Sequence, residues 1–236
     1  MTFNFAEMWA HMPLLGKGIA LCLFLMAVSF IGVTIERMIA FSRSAQESRT
    51  FAMQAGKLLE AWHIEEIVML APKFKSSSLA KLFGPIIRRY AHALAEHVEP
   101  VEGGLAPMQL ARNEAERRKE AVGEELRRGM NVVATVGSLA PFVGLLGTVV
   151  GIIGAFQGIG AAGSAGIAPI MRGISEALIE TAFGLLVAIP SVIAFNYLNA
   201  RISGIETALA RSAGELLDEL ENHQGQSLGR REKHAA

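Results

Sequence analysis

Residues 129–171 have the sequence GMNVVATVGSLAPFVGLLGTVVGIIGAFQGIGAAGSAGIAPIM, and this stretch decides the fold of the chain. Its 43 consecutive residues include no Asp, Glu, Lys, Arg or His. A helix of a soluble protein needs a polar face, so this composition is typical of helices embedded in lipid. Residues 18–35 and 181–200 are also uncharged and long enough to cross a bilayer. The sequence therefore predicts an all-α integral membrane protein with three transmembrane helices.

The spanning helices are expected to extend into a cytoplasmic helical bundle. The polar segment between the first two spans favours helix and has almost no strand signal. Its last part, Arg112 to Arg128, is a charged helix expected to lead straight into the second span. The predicted segments are a periplasmic interfacial helix (1–13), the first span (14–35), a cytoplasmic helical domain (36–129), the second span (130–157), a periplasmic turn (158–171), the third span (172–198), a cytoplasmic helix (199–221) and a disordered tail (222–236).

Basic residues close to the spans predict the orientation. Six of them precede the second span within a short distance, whereas the turn between the second and third spans has none before Arg172. Since Lys and Arg concentrate on the cytoplasmic side, the central domain and the C-terminus are expected in the cytoplasm, with the N-terminus on the opposite side of the membrane. The six are Arg112, Arg117, Arg118, Lys119, Arg127 and Arg128.

Small and polar side chains share one face of the third span at helical spacing, and large apolar side chains occupy the rest. That face carries two carboxyls and two hydroxyls, so it is unsuited to lipid. Its members are Gly173, Glu176, Ala177, Glu180, Thr181, Gly184, Val187, Ala188 and Ser191. The second span has a matching stripe at steps of three and four residues, formed by Gly137, Pro141, Gly144, Thr148, Gly151, Ala155 and Gly158.

Packing alone would explain part of this pattern. Glycines in spanning helices commonly let backbones approach, threonines there commonly bond the preceding turn, and Glu176 has the spacing to pair with Arg172. Glu180 lies one turn deeper, where a carboxylate costs several kcal/mol unless it is neutralised, hydrated or paired. The pattern as a whole favours an ion pathway. The predicted pathway residues are Thr148, Glu176, Glu180 and Thr181, and the predicted pore-face packing residues are Pro141, Gly144, Gly147, Gly151 and Gly184.

At these residues the chain resembles the MotA/TolQ/ExbB proton-channel family, most closely its ExbB and TolQ branches. The matching stretches are TVGSLAPFVGLLGTVVGIIGAF (135–156) and GISEALIETAFGLLVAIPSVIAFN (173–196). The resemblance implies that the threonine of the GTxxG element and the Glu and Thr of the third span line the ion route. In this chain those positions are Thr148, Glu176 and Thr181. Glu180 departs from the family pattern, which usually has a small residue there.

The resemblance also implies a multisubunit motor driven by the proton motive force. Five copies of this chain would surround the single spanning helices of two copies of an ExbD/TolR-like protein, which would bring a membrane Asp. A TonB/TolA-like protein would receive the work in the periplasm. The chain's one aspartate, Asp218, lies beyond the spans, so a membrane Asp has to come from another protein.

The function predicted first is an ExbB-like channel subunit that energises outer-membrane transport. TolQ-like envelope maintenance and a gliding-motility motor stay open, and the NxLNxRI pattern at 196–202 leans toward TolQ. A membrane scaffold that does not conduct ions is the second class. For Glu180, an extended relay, an altered ion and a pair with a basic group of the partner are all open.

Other classes have little support. The sequence has no metal-ligand cluster, nucleophile elbow or phosphate-binding loop, so neither an enzyme nor a cofactor is expected. The formal net charge is +0, which argues against a nucleic-acid partner.

Overall fold

The chain forms a series of helices separated by short connections. The structure is a computed structural model that describes residues 12, 14–96, 105–162 and 167–235, without the side chains at 96, 158–162, 167–170, 172 and 226–235. Within these ranges there is no β-strand. The helices are α1 (Leu14–Glu60), α2 (Ile64–Leu70), α3 (Ser78–Glu96), α4 (Pro107–Arg127), α5 (Met130–Ala162) and α6 (Ile167–Ala235), with a 3₁₀ turn at Ala71–Lys73.

Three helical segments are long and apolar enough to cross a membrane: Leu14–Glu60, Met130–Gln157 and Gly173–Gly225. The predicted all-α class and the three membrane helices are thus confirmed. The segment predicted as an interfacial helix, 1–13, lies outside the described residues except for Met12.

The helices are longer than predicted at two places. α5 continues to Ala162 and α6 begins at Ile167, so most of the predicted turn at 158–171 is helical, and 163–166 lies outside the described residues. The predicted tail at 222–236 is helical as far as Ala235. It contains no proline, and the ring of His223 stacks on that of Trp62 at a centroid distance of 3.3 Å, which gives the start of this segment a packing partner.

The charged helix does not lead straight into the second span. α4 ends at Arg127, and Gly129 has a φ of +79° before α5 begins at Met130. This left-handed conformation strains any residue with a Cβ. An added Cβ at Gly129 would also lie 2.9 Å from Cγ1 of Val33. The glycine therefore separates two helices that the charge pattern alone joins into one.

The chain divides into two compact units. We call the first the membrane unit; it comprises the described residues up to Glu36 and those from Gly129 to Asn199. We call the second the bundle unit; it comprises Arg37–Arg128 and the residues from Ala200 onward. α1 and α6 each contribute residues to both units.

The membrane unit buries a small apolar core and exposes large apolar side chains. Its core comprises Ile19, Leu23, Phe30, Val133, Val136, Ala140, Val187 and Ala188. Phe142, Leu186 and Ile193 point outward, with exposed fractions of 67%, 65% and 64%. An apolar exterior of this kind suits helices surrounded by lipid.

The bundle unit has the opposite arrangement, with large side chains inside and charges outside. Phe51, Ile86 and Leu216 are almost completely buried, and the ring of Phe51 meets those of Phe74 and Phe83 edge to face. Ion pairs lie at the surface of this unit, for example Arg127 with Glu206 (Nη2–Oε2 2.8 Å). This is the organisation of a helical bundle in water.

Candidate ion-pathway site in the membrane unit

The second and third spans approach each other through glycines. An added Cβ at Gly144 would lie 3.0 Å from the carbonyl oxygen of Glu180 and 3.1 Å from the Cα of both Thr181 and Gly184. An added Cβ at Gly184 would lie 2.7 Å from the carbonyl oxygen of Ala140. Backbone therefore packs on backbone at this crossing, which only residues without side chains permit.

This close contact, which we call the α5–α6 seam, continues along both helices. An added Cβ at Gly137 would lie 2.8 Å from Cγ2 of Val192, and one at Gly173 would lie 2.7 Å from the Cβ of Ala155. Gly151 has the same relation to Ala177, at 2.7 Å. The small-residue stripes that the sequence places on the two spans face each other within one chain.

The seam accounts for most of the predicted pore-face residues by packing. Gly144, Gly147, Gly151 and Gly184 all lie in it, and Pro141 is accommodated inside the continuous helix α5. Their position beside a pore stays a prediction.

Two hydroxyls tie the helices across the seam. Thr181 donates from Oγ1 to the carbonyl oxygen of Gly144 at 3.0 Å. Ser191 is completely buried and donates to the carbonyl oxygen of Val133 at 2.8 Å. In an apolar environment such interhelical hydrogen bonds help to hold helices together. The sequence places Ser191 on the polar face without assigning it a role. The signal that identifies it is its position seven residues, about two helical turns, after Gly184, which puts both residues on the same face.

Thr148 and Glu176 differ in their surroundings. Thr148 is 8% exposed and donates to the carbonyl oxygen of Leu145 in its own helix at 2.6 Å, as the packing interpretation expects. Glu176 is partly exposed. Its predicted partner Arg172 has a side chain outside the described part of the structure. Thr148 is thus anchored within one turn, whereas Thr181 bridges two helices.

The Glu180 side chain lies against Gly147 of α5, and we call this position the seat of Glu180. This side chain is 7% exposed, and an added Cβ at Gly147 would overlap its Oε2 and lie 2.9 Å from its Cβ. Within the described residues, Oε2 has no hydrogen-bond partner. A buried carboxylate oxygen without a partner is costly, so this group stands apart from the satisfied hydroxyls of the seam.

A cavity of about 390 Å³ lies beside Glu180 and includes side chains of the first span. Apart from Glu180, apolar side chains form its lining, with Ala20, Leu23, Phe24 and Ala27 from α1 and Ile179, Phe183, Leu186 and Val187 from α6. Sequence patterns did not indicate that the first span borders this carboxyl, because α1 has no polar stripe of its own that would mark the contact.

Comparison with known proteins relates this region to a single family. The model of the "MotA/TolQ/ExbB proton channel family" matches residues 86–211, more than half of the chain, including the whole α5–α6 seam. Among individual proteins, the chain is similar to "Biopolymer transport protein ExbB" of Xanthomonas campestris pv. campestris (strain B100), with 45% identity over 143 residues, 58% of this chain and 56% of that one.

Two further relatives carry the same name. The protein of Salmonella typhimurium is 36% identical over 102 residues, 43% of this chain and 42% of its own length. That of Neisseria gonorrhoeae is 46% identical over 84 residues, 34% of this chain and 38% of its own length. The chain thus spans about half the length of the relatives it matches or less. Because the family model covers both helices of the seam, this chain belongs to the MotA/TolQ/ExbB proton channel family.

Proposed function

We propose that this chain is the ion-conducting subunit of an ExbB-like complex in the bacterial inner membrane, which uses the proton motive force to energise outer-membrane transport. One observation carries the proposal: the buried carboxyl of Glu180 and the hydroxyl of Thr181 lie at the seam of two membrane helices that a proton-channel family model covers. Thr148, Glu176, Glu180 and Thr181 are the groups that pass the ion. The shared name of the relatives favours the ExbB branch.

The proposed complex contains five copies of this chain and two copies of an ExbD/TolR-like partner with one spanning helix. The partner supplies the membrane Asp, because the single aspartate of this chain, Asp218, lies in the bundle unit. A TonB/TolA-like protein receives the mechanical work in the periplasm. In this assembly the N-terminus is periplasmic and the C-terminus cytoplasmic, as the basic residues before the second span indicate.

Proton flux through the reconstituted complex tests the proposal. The chain is purified with its co-purifying partner, placed in liposomes that contain a pH-sensitive dye, and driven by an imposed membrane potential. Glu176→Gln is expected to abolish the flux, because the amide cannot accept and release a proton. Thr148→Val is expected to reduce it, because the isosteric side chain has no hydroxyl.

The first span offers a matched control for the threonine. Thr34 donates to the carbonyl oxygen of Phe30 at 2.7 Å, within its own helix, in the same manner as Thr148. Thr34→Val therefore removes a comparable hydrogen bond away from the seam and is expected to leave the flux unchanged. Equal fluxes for the wild type and Glu176→Gln would contradict the proposal.

A membrane scaffold that does not conduct ions is the second candidate. The observation that favours it is that packing satisfies the glycines, Thr148, Thr181 and Ser191 within one chain. A scaffold would show no flux in the wild type, and Glu176→Gln would keep the wild-type amount of assembled complex and its cellular activity.

Two related motors are distinguished by what co-purifies. A TolR-like partner and loss of envelope integrity on deletion would favour the TolQ branch, toward which the pattern at 196–202 leans. A motility defect on deletion would favour a gliding motor. An ExbD-like partner and loss of energised uptake would favour the branch proposed here.

A further inference from the structure

We propose that the Glu180 carboxyl is a second proton-binding site of the subunit, located where all three spanning helices meet and bordered by apolar side chains of the first span. Its part in conduction rests on the proposed function, whereas its occupancy by a proton does not. The site would give the proposed ion pathway a proton-binding carboxyl in addition to Glu176, at a position where the family motif usually has a small residue.

The position accommodates the carboxyl because residue 147 is a glycine. A methyl group at position 147 would overlap Oε2 of Glu180. The neighbouring backbone does not move easily, because the same stretch of α5 contacts α6 at Gly144. The Glu180 side chain of α6 therefore packs directly against α5 at Gly147.

The described surroundings of the Glu180 carboxyl contain no hydrogen-bond donor or cation that would stabilise a negative charge. Within the described residues Oε2 has no hydrogen-bond partner, and the adjoining cavity of about 390 Å³ is otherwise apolar. The cavity opens to the apolar exterior of the membrane unit, since its lining residues Phe24 and Leu186 are exposed, and acyl chains there cannot supply a hydrogen bond. An ionised carboxylate is unfavourable in such a place, and binding a proton removes the charge.

The ionisable groups around the site do not change this conclusion. On α6 the nearest is Glu176, four residues away, whose like charge would oppose a second charge at Glu180. α5 has no ionisable side chain from Met130 to Ala162, and the part of α1 from Gly18 to Ile35 has only the thiol of Cys22. No cation of the described residues stands close enough to Glu180 to form an ion pair, so the proton is the ligand that fits.

The cavity beside Glu180 opens next to the first span, on the lipid-facing side of the membrane unit. Ala20, Leu23, Phe24 and Ala27 form one wall of the cavity, and its volume is within the range of pockets that take small apolar molecules. A hydrophobic reagent can reach the carboxyl by this way, whereas a charged, water-soluble one cannot. This difference makes the occupancy measurable without any transport assay.

Modification by dicyclohexylcarbodiimide tests the site in the full-length complex. The reagent adds to a protonated carboxyl and leaves a stable N-acylurea, which peptide mass spectrometry locates. Glu180 is expected to be modified at neutral pH, more slowly as the pH rises, at the same rate with and without excess Na⁺, and not by a water-soluble carbodiimide. Absence of the adduct at Glu180, or protection by Na⁺, would overturn the proposal; the latter would assign the site to a metal cation.

Variants separate this proposal from the proposed function. Glu180→Gln is expected to lose the adduct, and Glu176→Gln is expected to keep it while losing proton flux. A complex that conducts protons without an adduct at Glu180 refutes the second site and removes Glu180 from the ion pathway, but leaves Thr148, Glu176 and Thr181 in it. A complex that carries the adduct but has no flux refutes the proposed function alone.

Two further variants test the geometry of the seat. Gly147→Ala is expected to displace the carboxyl and lose the adduct, whereas Gly154→Ala on the same helix, where an added Cβ meets nothing within 4 Å, is expected to keep it. Ala27→Phe is expected to fill the cavity and lose the adduct, whereas Ile31→Phe, at an exposed position of the same helix, is expected to keep it. Retention of the adduct in Gly147→Ala and Ala27→Phe would overturn the assigned site.

Discussion

The α5–α6 seam and the core of the bundle unit hold helices together in opposite ways. At the seam the contact surfaces are glycines, and the closest neighbours of an added Cβ are backbone atoms, as at Gly144 and Gly184. In the bundle core the contact surfaces are the largest side chains available, with Tyr90 and Phe51 almost completely buried.

The two solvents explain the difference. In water, burying a large apolar side chain is worth about 1.5–3 kcal/mol, so the bundle unit gains most from large residues. In lipid, the acyl chains are as apolar as the side chains, and helices gain from close contact and interhelical hydrogen bonds instead. The seam should therefore be sensitive to added atoms and the bundle core to removed atoms.

Gly184→Ala is the strongest test of this contrast. The new methyl would lie 2.7 Å from the carbonyl oxygen of Ala140, so the two spans have to separate. We expect loss of assembled complex, measured by native gel electrophoresis or size exclusion in detergent. Gly204→Ala, in the bundle unit on the same helix, meets nothing within 4 Å and is expected to assemble normally. Equal assembly of both variants would show that backbone contact does not hold the seam.

Phe51→Ala tests the bundle core by removing atoms. The ring is 0% exposed and contacts Phe74 and Phe83 at centroid distances of 5.8 and 6.1 Å. Truncation of such a residue costs about 3–5 kcal/mol. We expect a large decrease in the melting temperature of the purified protein, followed by circular dichroism. Met53→Ala, at an exposed position (65%), serves as the control and is expected to change it little.

The sequence predicted the membrane helices well because each depends on a local property. An uncharged run long enough to cross a bilayer identifies a span without knowledge of its neighbours. Small residues at steps of three and four also marked the contacting face of each span, although the sequence pattern assigned these faces to a pore and did not predict that they pack on each other within one chain. Gly129 was not, because the charged helix before it gives no sign that the glycine adopts a positive φ.

The features that the sequence analysis did not predict are contacts between residues of different helices, which depend on how those helices pack on each other. The seat of Glu180 needs Gly147 on one helix and the first span on another, and neither relation follows from the periodicity of α6. The bundle core has the same dependence: the hydroxyl of Tyr90 donates to the carbonyl oxygen of Leu220, 130 positions along the chain, at 3.4 Å. Burial there raises the pKa of the Tyr90 hydroxyl.

Ser191→Ala measures what a hydrogen bond across the seam contributes. The hydroxyl is completely buried and bonds the carbonyl oxygen of Val133 at 2.8 Å. Since interhelical hydrogen bonds in membranes are worth about 0.6 kcal/mol on average, we expect a modest decrease in the free energy of unfolding in mixed micelles. Ser29→Ala is the matched control, because that exposed hydroxyl bonds its own turn at Leu25. A loss no larger than the control's would mean that glycine contact alone holds the seam.

Glu114→Gln should have the smallest effect, and a pH-dependent one. Burial raises the pKa of this carboxyl, but hydrogen bonds and charges from Arg118 and Arg117 outweigh burial, so its pKa is lowered from 4.5. A carboxyl with a lowered pKa stabilises the folded state above its unfolded pKa, and this contribution disappears as the pH falls through the folded value. At about 0.3–0.5 kcal/mol for each exposed helical ion pair, the total stays near or below about 1 kcal/mol.

Melting temperatures at pH 7 and at pH 3 measure this effect. We expect Glu114→Gln to melt slightly below the wild type at pH 7 and together with it at the lower pH, where the wild-type carboxyl is losing its charge. Glu116→Gln, which removes one exposed pair with Lys119, is the control and should change the melting temperature less at pH 7. A difference for Glu114→Gln that persists unchanged in acid would assign the effect to packing, since the Glu114 side chain is only 12% exposed. In that case the Glu114 side chain would stabilise the bundle unit through its apolar contacts, as the large side chains of the bundle core do.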